Sequence, residues 1–132
     1  ALKKIKLIFL ADTKTEIVSD RMVIQTIIRN LLDNAVKFTR EGGEIIVENR
    51  IFDNVIEIRV QDSGMGIPDT IQKVLFEDDS AKKSRLGTNG EKGTGIGLYV
   101  CSELAKKNGG ELKLLQSSPL GTTFALKVPN RA

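Results

Sequence analysis

Three stretches of the chain hold residue types whose spacing suits chemistry. The first is Asn30, Asn34 and Lys37, spaced +4 and +3. On a helix of about 100° per residue these three side chains fall within roughly 60° of one another. The apolar residues Ile24, Ile28, Leu31 and Ala35 centre roughly 100–130° away, so the amides border the buried face. An amide oxygen suits a hard cation, and amides and Lys hydrogen-bond phosphates. The same stripe also fits two solvated amides on a helix edge. The second stretch is Asp62-Ser63-Gly64-Met65-Gly66. Asp62 shares the parity of Ile56, Ile58 and Val60, so its carboxylate points the way the core points. A carboxylate there must be paired or hydrogen-bonded. It can accept from the exocyclic amine of a base, or it can begin an Asx turn. The third is Gly93-Thr94-Gly95-Ile96-Gly97, which opens a helix whose first N–H groups favour anions, or which needs glycine for a turn. It is no Walker loop, since Lys92 precedes the glycines, and it does not match G-x-G-x-x-G after a strand.

Composition removes several classes of function. The chain has 132 residues and no histidine, so imidazole bases, nucleophiles and metal ligands are absent from it. The single Cys101 excludes an internal disulfide and a multi-Cys metal site, and its place in an apolar-periodic helix reads as an inert buried thiol. Twenty Lys+Arg against 17 Asp+Glu leave a scattered net charge of +3, and with aromatics at 5% and no Trp a nucleic-acid platform is poorly supplied. Hydrophobic residues at 40% and charged at 28% are an ordinary globular balance. No apolar run approaches the roughly 20 residues that span a bilayer, and the N-terminal Leu2-Lys3-Lys4 is expected not to be a signal peptide.

These stretches must be positioned by a regular frame. Residues 2–10 read as a strand, Asp12-Thr13-Lys14 as a turn and Glu16-Ile17-Val18 as a short extended piece. Ser19-Asp20 offers an N-cap for a helix over about 20–38, apolar at Val23, Ile24, Ile27, Ile28, Leu31, Leu32 and Ala35. Strands at 44–52 and 55–61 are joined by Asp53-Asn54 as a hairpin. Pro68 opens a short helix to about residue 74. The polar run 77–92, with Lys82, Lys83 and Arg85, is the one long loop, a lid or a disordered segment. A helix over 94–108 stops at Gly109-Gly110, and strands 111–116 and 122–128 close the chain. Hairpin-grouped strands with interspersed helices point to a single-domain α/β sandwich, a mixed sheet with helices on one face.

Taken in order, these motifs resemble the catalytic ATP-binding domain of bacterial sensor histidine kinases. That domain belongs to the superfamily that also holds DNA gyrase, heat-shock chaperones and mismatch-repair ATPases. Asn30-Leu31-Leu32-Asp33-Asn34-Ala35-Val36-Lys37-Phe38 looks like the N box. Asp62-Ser63-Gly64-Met65-Gly66-Ile67-Pro68 resembles the first glycine box and Leu75-Phe76-Glu77 the F box. Gly93-Thr94-Gly95-Ile96-Gly97-Leu98 resembles the second glycine box, and Gly121-Thr122-Thr123-Phe124 the closing strand. The resemblance spans nearly the whole chain. It implies a Bergerat-type fold, a two-layer sandwich of a mixed, mostly antiparallel sheet with about three helices on one face.

The resemblance also implies roles. Asn34 would hold Mg²⁺, with Asn30 and Lys37 near the phosphates. Phe38, where the family often has Tyr, would lie against the adenine, and Asp62 would accept its amine. Gly64, Gly66 and Ile67 would surround the base. Lys92, Gly93, Thr94, Gly95, Ile96, Gly97 and Leu98 would form the phosphate side of the lid, and Thr122 would face the same pocket. The hydrolysing relatives carry Glu at the place of Asn30. The implied activity is therefore transfer of the γ-phosphoryl group of ATP–Mg²⁺ to a histidine on a separate dimerisation domain. A regulatory module without kinase output and a clamp-type ATPase are the alternatives. The implied partners are that dimerisation domain and a response regulator receiver domain, with a homodimeric parent and no contact with nucleic acid or membrane. The chain is expected to be an excised cytoplasmic domain whose parent carries the acceptor.

Overall fold

A computed structural model describes residues 4–10, 19–78 and 96–130, without the side chain of Ile96. Among these residues run β1 (Lys6–Leu10), α1 (Arg21–Phe38), β2 (Glu44–Phe52), β3 (Val55–Asp62), α2 (Asp69–Gln72), α3 (Ile96–Lys107), β4 (Glu111–Ser118) and β5 (Gly121–Pro129). The expected turn at 12–14, the extended piece at 16–18 and the lid from residue 79 onward lie outside the described residues.

Local chemistry sets the ends of α1. The Asp20 carboxylate accepts the Val23 N–H at 3.2 Å, satisfying one of the unpaired donors of the first turn. At the other end both the N–H and the hydroxyl of Thr39 donate to the Ala35 carbonyl, at 3.0 and 2.6 Å. Full burial falls on Ile27, Leu31 and Ala35 alone, while Val23, Ile24, Ile28 and Leu32 are half-buried. The buried stripe is thus narrower than the sequence periodicity suggests. Asp53 and Asn54 both take positive φ, +48° and +66°, as a type I′ hairpin turn requires. α3 is stopped just beyond Lys107 by Gly109, with φ +77°, and the Gly110 N–H donates to the Ala105 carbonyl at 2.8 Å.

The five strands lie in the order β1-β2-β3-β5-β4. Only β1 and β2 are parallel, because α1 is their crossover; every other neighbouring pair is antiparallel. On one face Ile56, Ile58 and Val60 of β3 stand opposite Val128, Leu126 and Phe124 of β5. These pack with Ile27 and Leu31 of α1 and Leu98 and Cys101 of α3 into one core. The other face carries charge. Glu57, 4% exposed, receives Arg59 Nε at 2.6 Å and lies 3.8 Å from Lys127 Nζ, with Arg50–Glu48 and Lys113–Glu111 pairs beside it. Period-two alternation thus puts apolar side chains under the helices and ion pairs on the opposite side.

Several boundaries depart from expectation. β1 begins at Lys6, and the helix after Pro68 is a single turn, Asp69–Gln72, followed by turns. β4 runs to Ser118 and β5 from Gly121, and β4 contains a bulge between Leu114 and Gln116. The extra residue reverses the parity of the strand beyond it, so Ser117, not Gln116, stands opposite Thr122.

Candidate functional site

The end of β3 brings Asp62 to the helix-covered side of the sheet, as the parity of Ile56, Ile58 and Val60 requires. It is 7% exposed. Two backbone donors reach the same oxygen: Gly64 N–H at 2.8 Å and Thr122 N–H at 3.3 Å, both to Oδ1. Among the described residues Oδ2 has no hydrogen-bond partner. Burial pushes the carboxyl above its ordinary 3.8, and the two amide bonds pull it back in part. The result is a desolvated carboxylate with one oxygen already used and one open.

The turn after Asp62 is shaped by close approach. A Cβ on Gly64 would run into the Phe38 carbonyl oxygen, and one on Gly66 into that of Ser118, while Gly66 also holds φ +83°. The turn is then tied to the last hairpin. Ile67 N–H donates to Ser117 Oγ at 2.8 Å, and Ser117 Oγ lies 2.8 Å from Thr122 Oγ1. Gln72 Nε2 donates to the Ile67 carbonyl at 2.7 Å, fixing the other side of the same residue.

Asp62 opens on a cleft lined by Asn34 and Phe38 of α1, Ile67, Leu75, Leu98 of α3, and Thr122 and Phe124 of β5. The walls are apolar and the polar groups few, as in small-molecule sites, and the free volume between them is about 10 Å³. Leu75 is fully buried, and Phe76 meets Phe124 edge-on with centroids 6.3 Å apart, so the Leu75-Phe76 segment braces the cleft floor.

The α1 stripe divides. Asn34 lines the cleft and is half-buried. Asn30, one turn earlier, does not line it; its Nδ2 donates to the Thr26 carbonyl at 3.0 Å, and a Cβ on Gly97 would meet its Oδ1. Lys37 is exposed and outside the cleft. Lys92, Gly93, Thr94 and Gly95 lie outside the described residues, and Ile96 begins α3. Sequence reasoning did not single out Ser117, Leu75 or Phe124 for the site. Phe124 was legible by its shared parity with Thr122, but Ser117 was hidden by the bulge.

The residues present fit a purine nucleotide: an open carboxylate oxygen for an amine, apolar walls for a ring, and a helix start close to α1. For a cation the donor set is thin. Asn34 offers one hard amide oxygen, and no group of three or more His, Cys, Asp or Glu among the described residues could hold a metal. A cation at Asn34 would take most of its ligands from phosphates and water. Cys101 is buried and its thiol is pushed up to about 11 by burial, which leaves it inert. Among the described residues no helix is long and apolar enough to cross a membrane.

Known proteins place this architecture. Residues 19–132 match the family described as Histidine kinase-, DNA gyrase B-, and HSP90-like ATPase. The signal transduction histidine-protein kinase BarA of Escherichia coli K12 is 34% identical over 122 residues, covering 86% of this chain and 13% of that protein. The histidine protein kinase DivJ of Caulobacter vibrioides is 33% identical over 117 residues, covering 86% of this chain and 19% of its own length. The chain therefore spans less than a fifth of either relative. Among solved structures, the catalytic domain of histidine kinase ThkA superposes with a TM-score of 0.77 at 25% identity, over 96% of this chain and 79% of that one. The mycobacterial sensor histidine kinase MprB gives 0.74 at 25%, over 96% and 84%. The α/β sandwich expected from the sequence is the fold found. The chain belongs to the histidine kinase-, DNA gyrase B- and HSP90-like ATPase family, and within it resembles the catalytic domains of histidine kinases.

Proposed function

We propose that this domain binds ATP with Mg²⁺ and positions the γ-phosphoryl group for transfer to a histidine on a separate dimerisation domain, in two-component signalling with a response regulator. The observation that carries the reading is Asp62: a buried carboxylate with one oxygen saturated by backbone and the other open, in an apolar cleft beside Asn34.

Asp62 accepts the adenine amine, while Phe38, Ile67, Leu75, Leu98 and Phe124 enclose the ring. Asn34 lends its amide oxygen to the cation, which, when bound, neutralises phosphate charge. By the family resemblance Lys37, Lys92 and the amides of Gly93 to Gly97 would contact the phosphates, with Asn30 supporting that end from α1. Phosphoryl transfer is mostly positioning and charge neutralisation, so no protein base is needed to break the bond to the β-phosphate oxygen. Asn30 stands where a hydrolysing enzyme needs a base, and an amide cannot take a proton from water. The chain has no histidine, so the acceptor nitrogen belongs to another domain. The kinase names of the relatives support this reading, and histidine kinase ThkA, whose catalytic-domain fold this chain shares, is solved in complex with the response regulator protein TrrA.

The test uses the purified chain with γ-labelled ATP. Nucleotide binds, hydrolysis is negligible and the chain does not label itself; adding the parent's dimerisation domain in trans places label on that domain's histidine. Robust turnover by the chain alone, abolished by Asn34→Ala, overturns the kinase reading in favour of a clamp-type ATPase.

A further inference from the structure

Ser117 has no place in the proposed chemistry, yet it joins two parts of the cleft. Its Oγ accepts the Ile67 N–H at 2.8 Å and lies 2.8 Å from Thr122 Oγ1. Thr122 is 4% exposed, lines the cleft with Asp62, and donates its own N–H to Asp62 Oδ1. One hydrogen is shared between the two hydroxyls, and either heavy-atom position allows either donor. Cooperativity favours one order. A hydroxyl oxygen that accepts an N–H becomes a better donor, so the chain runs Ile67 N–H to Ser117 O–H to Thr122 oxygen. Thr122 has then used an acceptor site, and its own hydrogen turns away from Ser117.

We infer that Ser117 is a positioning residue for base selection: it fixes the Thr122 hydroxyl as a donor beside the open acceptor Asp62 Oδ2. This rests on the nucleotide reading of the cleft. An acceptor beside a donor complements a 6-aminopurine edge, whose amine donates and whose neighbouring ring nitrogen accepts. A 6-oxopurine edge presents the reverse order and meets a donor with a donor. Selectivity is thus set partly by a residue that touches no ligand. It reaches Thr122 only because the β4 bulge brings position 117 opposite it.

The experiment measures, by calorimetry, the affinities of non-hydrolysable ATP and of its inosine counterpart for wild type, Ser117→Ala, Ser117→Cys and Ser117→Thr. Ser117→Ala frees the Thr122 hydroxyl to rotate, so the preference for adenine falls about three- to tenfold, the range of one neutral hydrogen bond. Ser117→Thr keeps the hydroxyl and the preference. Ser117→Cys, a weaker donor, shows a smaller loss in the same direction and carries the test if the alanine variant does not fold. A preference unchanged in the Ala and Cys variants, even with both affinities reduced together, makes Ser117 merely structural and overturns the inference. A wild type that binds both nucleotides equally overturns the inference and leaves the nucleotide reading standing. A wild type that binds neither removes that reading and the inference with it.

Discussion

At the β3–β5 end of the cleft, Asp62, Gly64, Ile67, Ser117 and Thr122 are joined largely through backbone N–H groups, and none of them can move without moving a strand end or a turn. At the α1 end, Asn30, Asn34 and Lys37 hang from one helix as side chains, and Asn30 spends its amide hydrogen on its own helix at the Thr26 carbonyl. The first end is assembled by tertiary pairing before any ligand arrives. The second needs charge and geometry from what binds it. A site divided this way can select a base with a rigid surface while its phosphate side adjusts.

The largest effect should come from the rigid end. Asp62→Asn keeps one oxygen for the Gly64 and Thr122 amides, but puts a donor where Oδ2 was open. Loss of a charge-assisted hydrogen bond costs about 1.5–3 kcal/mol, roughly ten- to a hundredfold in ATP affinity, with the fold retained. Unchanged affinity by calorimetry in a folded variant would remove Asp62 from the base site.

Paired alanine substitutions at two glycines sharpen the contrast. At Gly66 the new Cβ meets the Ser118 backbone and the residue must hold φ +83°, so stability should fall by about 1–3 kcal/mol. At Gly97 its three nearest neighbours among the described residues are all atoms of the Asn30 side chain, which can rotate by giving up its bond to Thr26, and alanine is the better helix former by about 1 kcal/mol. Gly97→Ala should therefore melt within about 1 kcal/mol of wild type. Equal losses at the two positions would contradict the division into rigid and yielding ends.

Asn34→Ala probes the α1 end. Removing a single amide ligand should weaken Mg²⁺-dependent nucleotide binding several-fold, on the order of 1 kcal/mol, while binding in chelator hardly changes. The same Mg²⁺ dependence in variant and wild type would take Asn34 out of the cation site.

The smallest effect is in pH. The folded-state pKa of Asp62 is raised above 3.8 because burial outweighs its two amide bonds. Between 3.8 and that raised value the folded chain binds more protons than the unfolded one, so stability falls as pH rises through this window and stays level above it. Asp62→Asn removes the effect. Its stability relative to wild type should rise with pH across the window, read by denaturant titration at successive pH values. Nucleotide affinity should move the other way, falling as acid protonates the carboxylate. A relative stability flat from pH 4 upward would show that burial does not govern this carboxyl.

Much of this protein was legible in the residues. The Asp20 cap, the Asp53-Asn54 turn and the Gly109 stop act within a few residues, so local chemistry names them without the fold. Period two likewise assigned Asp62 and Thr122 to the core side, because a strand without a bulge cannot change parity. Other features depended on partners far away in sequence. The stripe Val23 to Ala35 is apolar over a wide arc, but only Ile27, Leu31 and Ala35 are wholly covered, because the arc that is sealed depends on where β3 and α3 lie. The division between Asn34 in the cleft and Asn30 against Gly97 depends on how α3 meets α1. Ser117 is the clearest case. Alternation counted from Leu112 and Leu114 assigns Gln116 to the inner face, and the bulge that overturns this count exists only where β4 pairs with β5. Sequence alone determined the elements, the inward carboxylate and the order of the motifs, since each follows from neighbouring residues. Tertiary structure decided which of them meet, because register and helix docking are settled by the whole core at once.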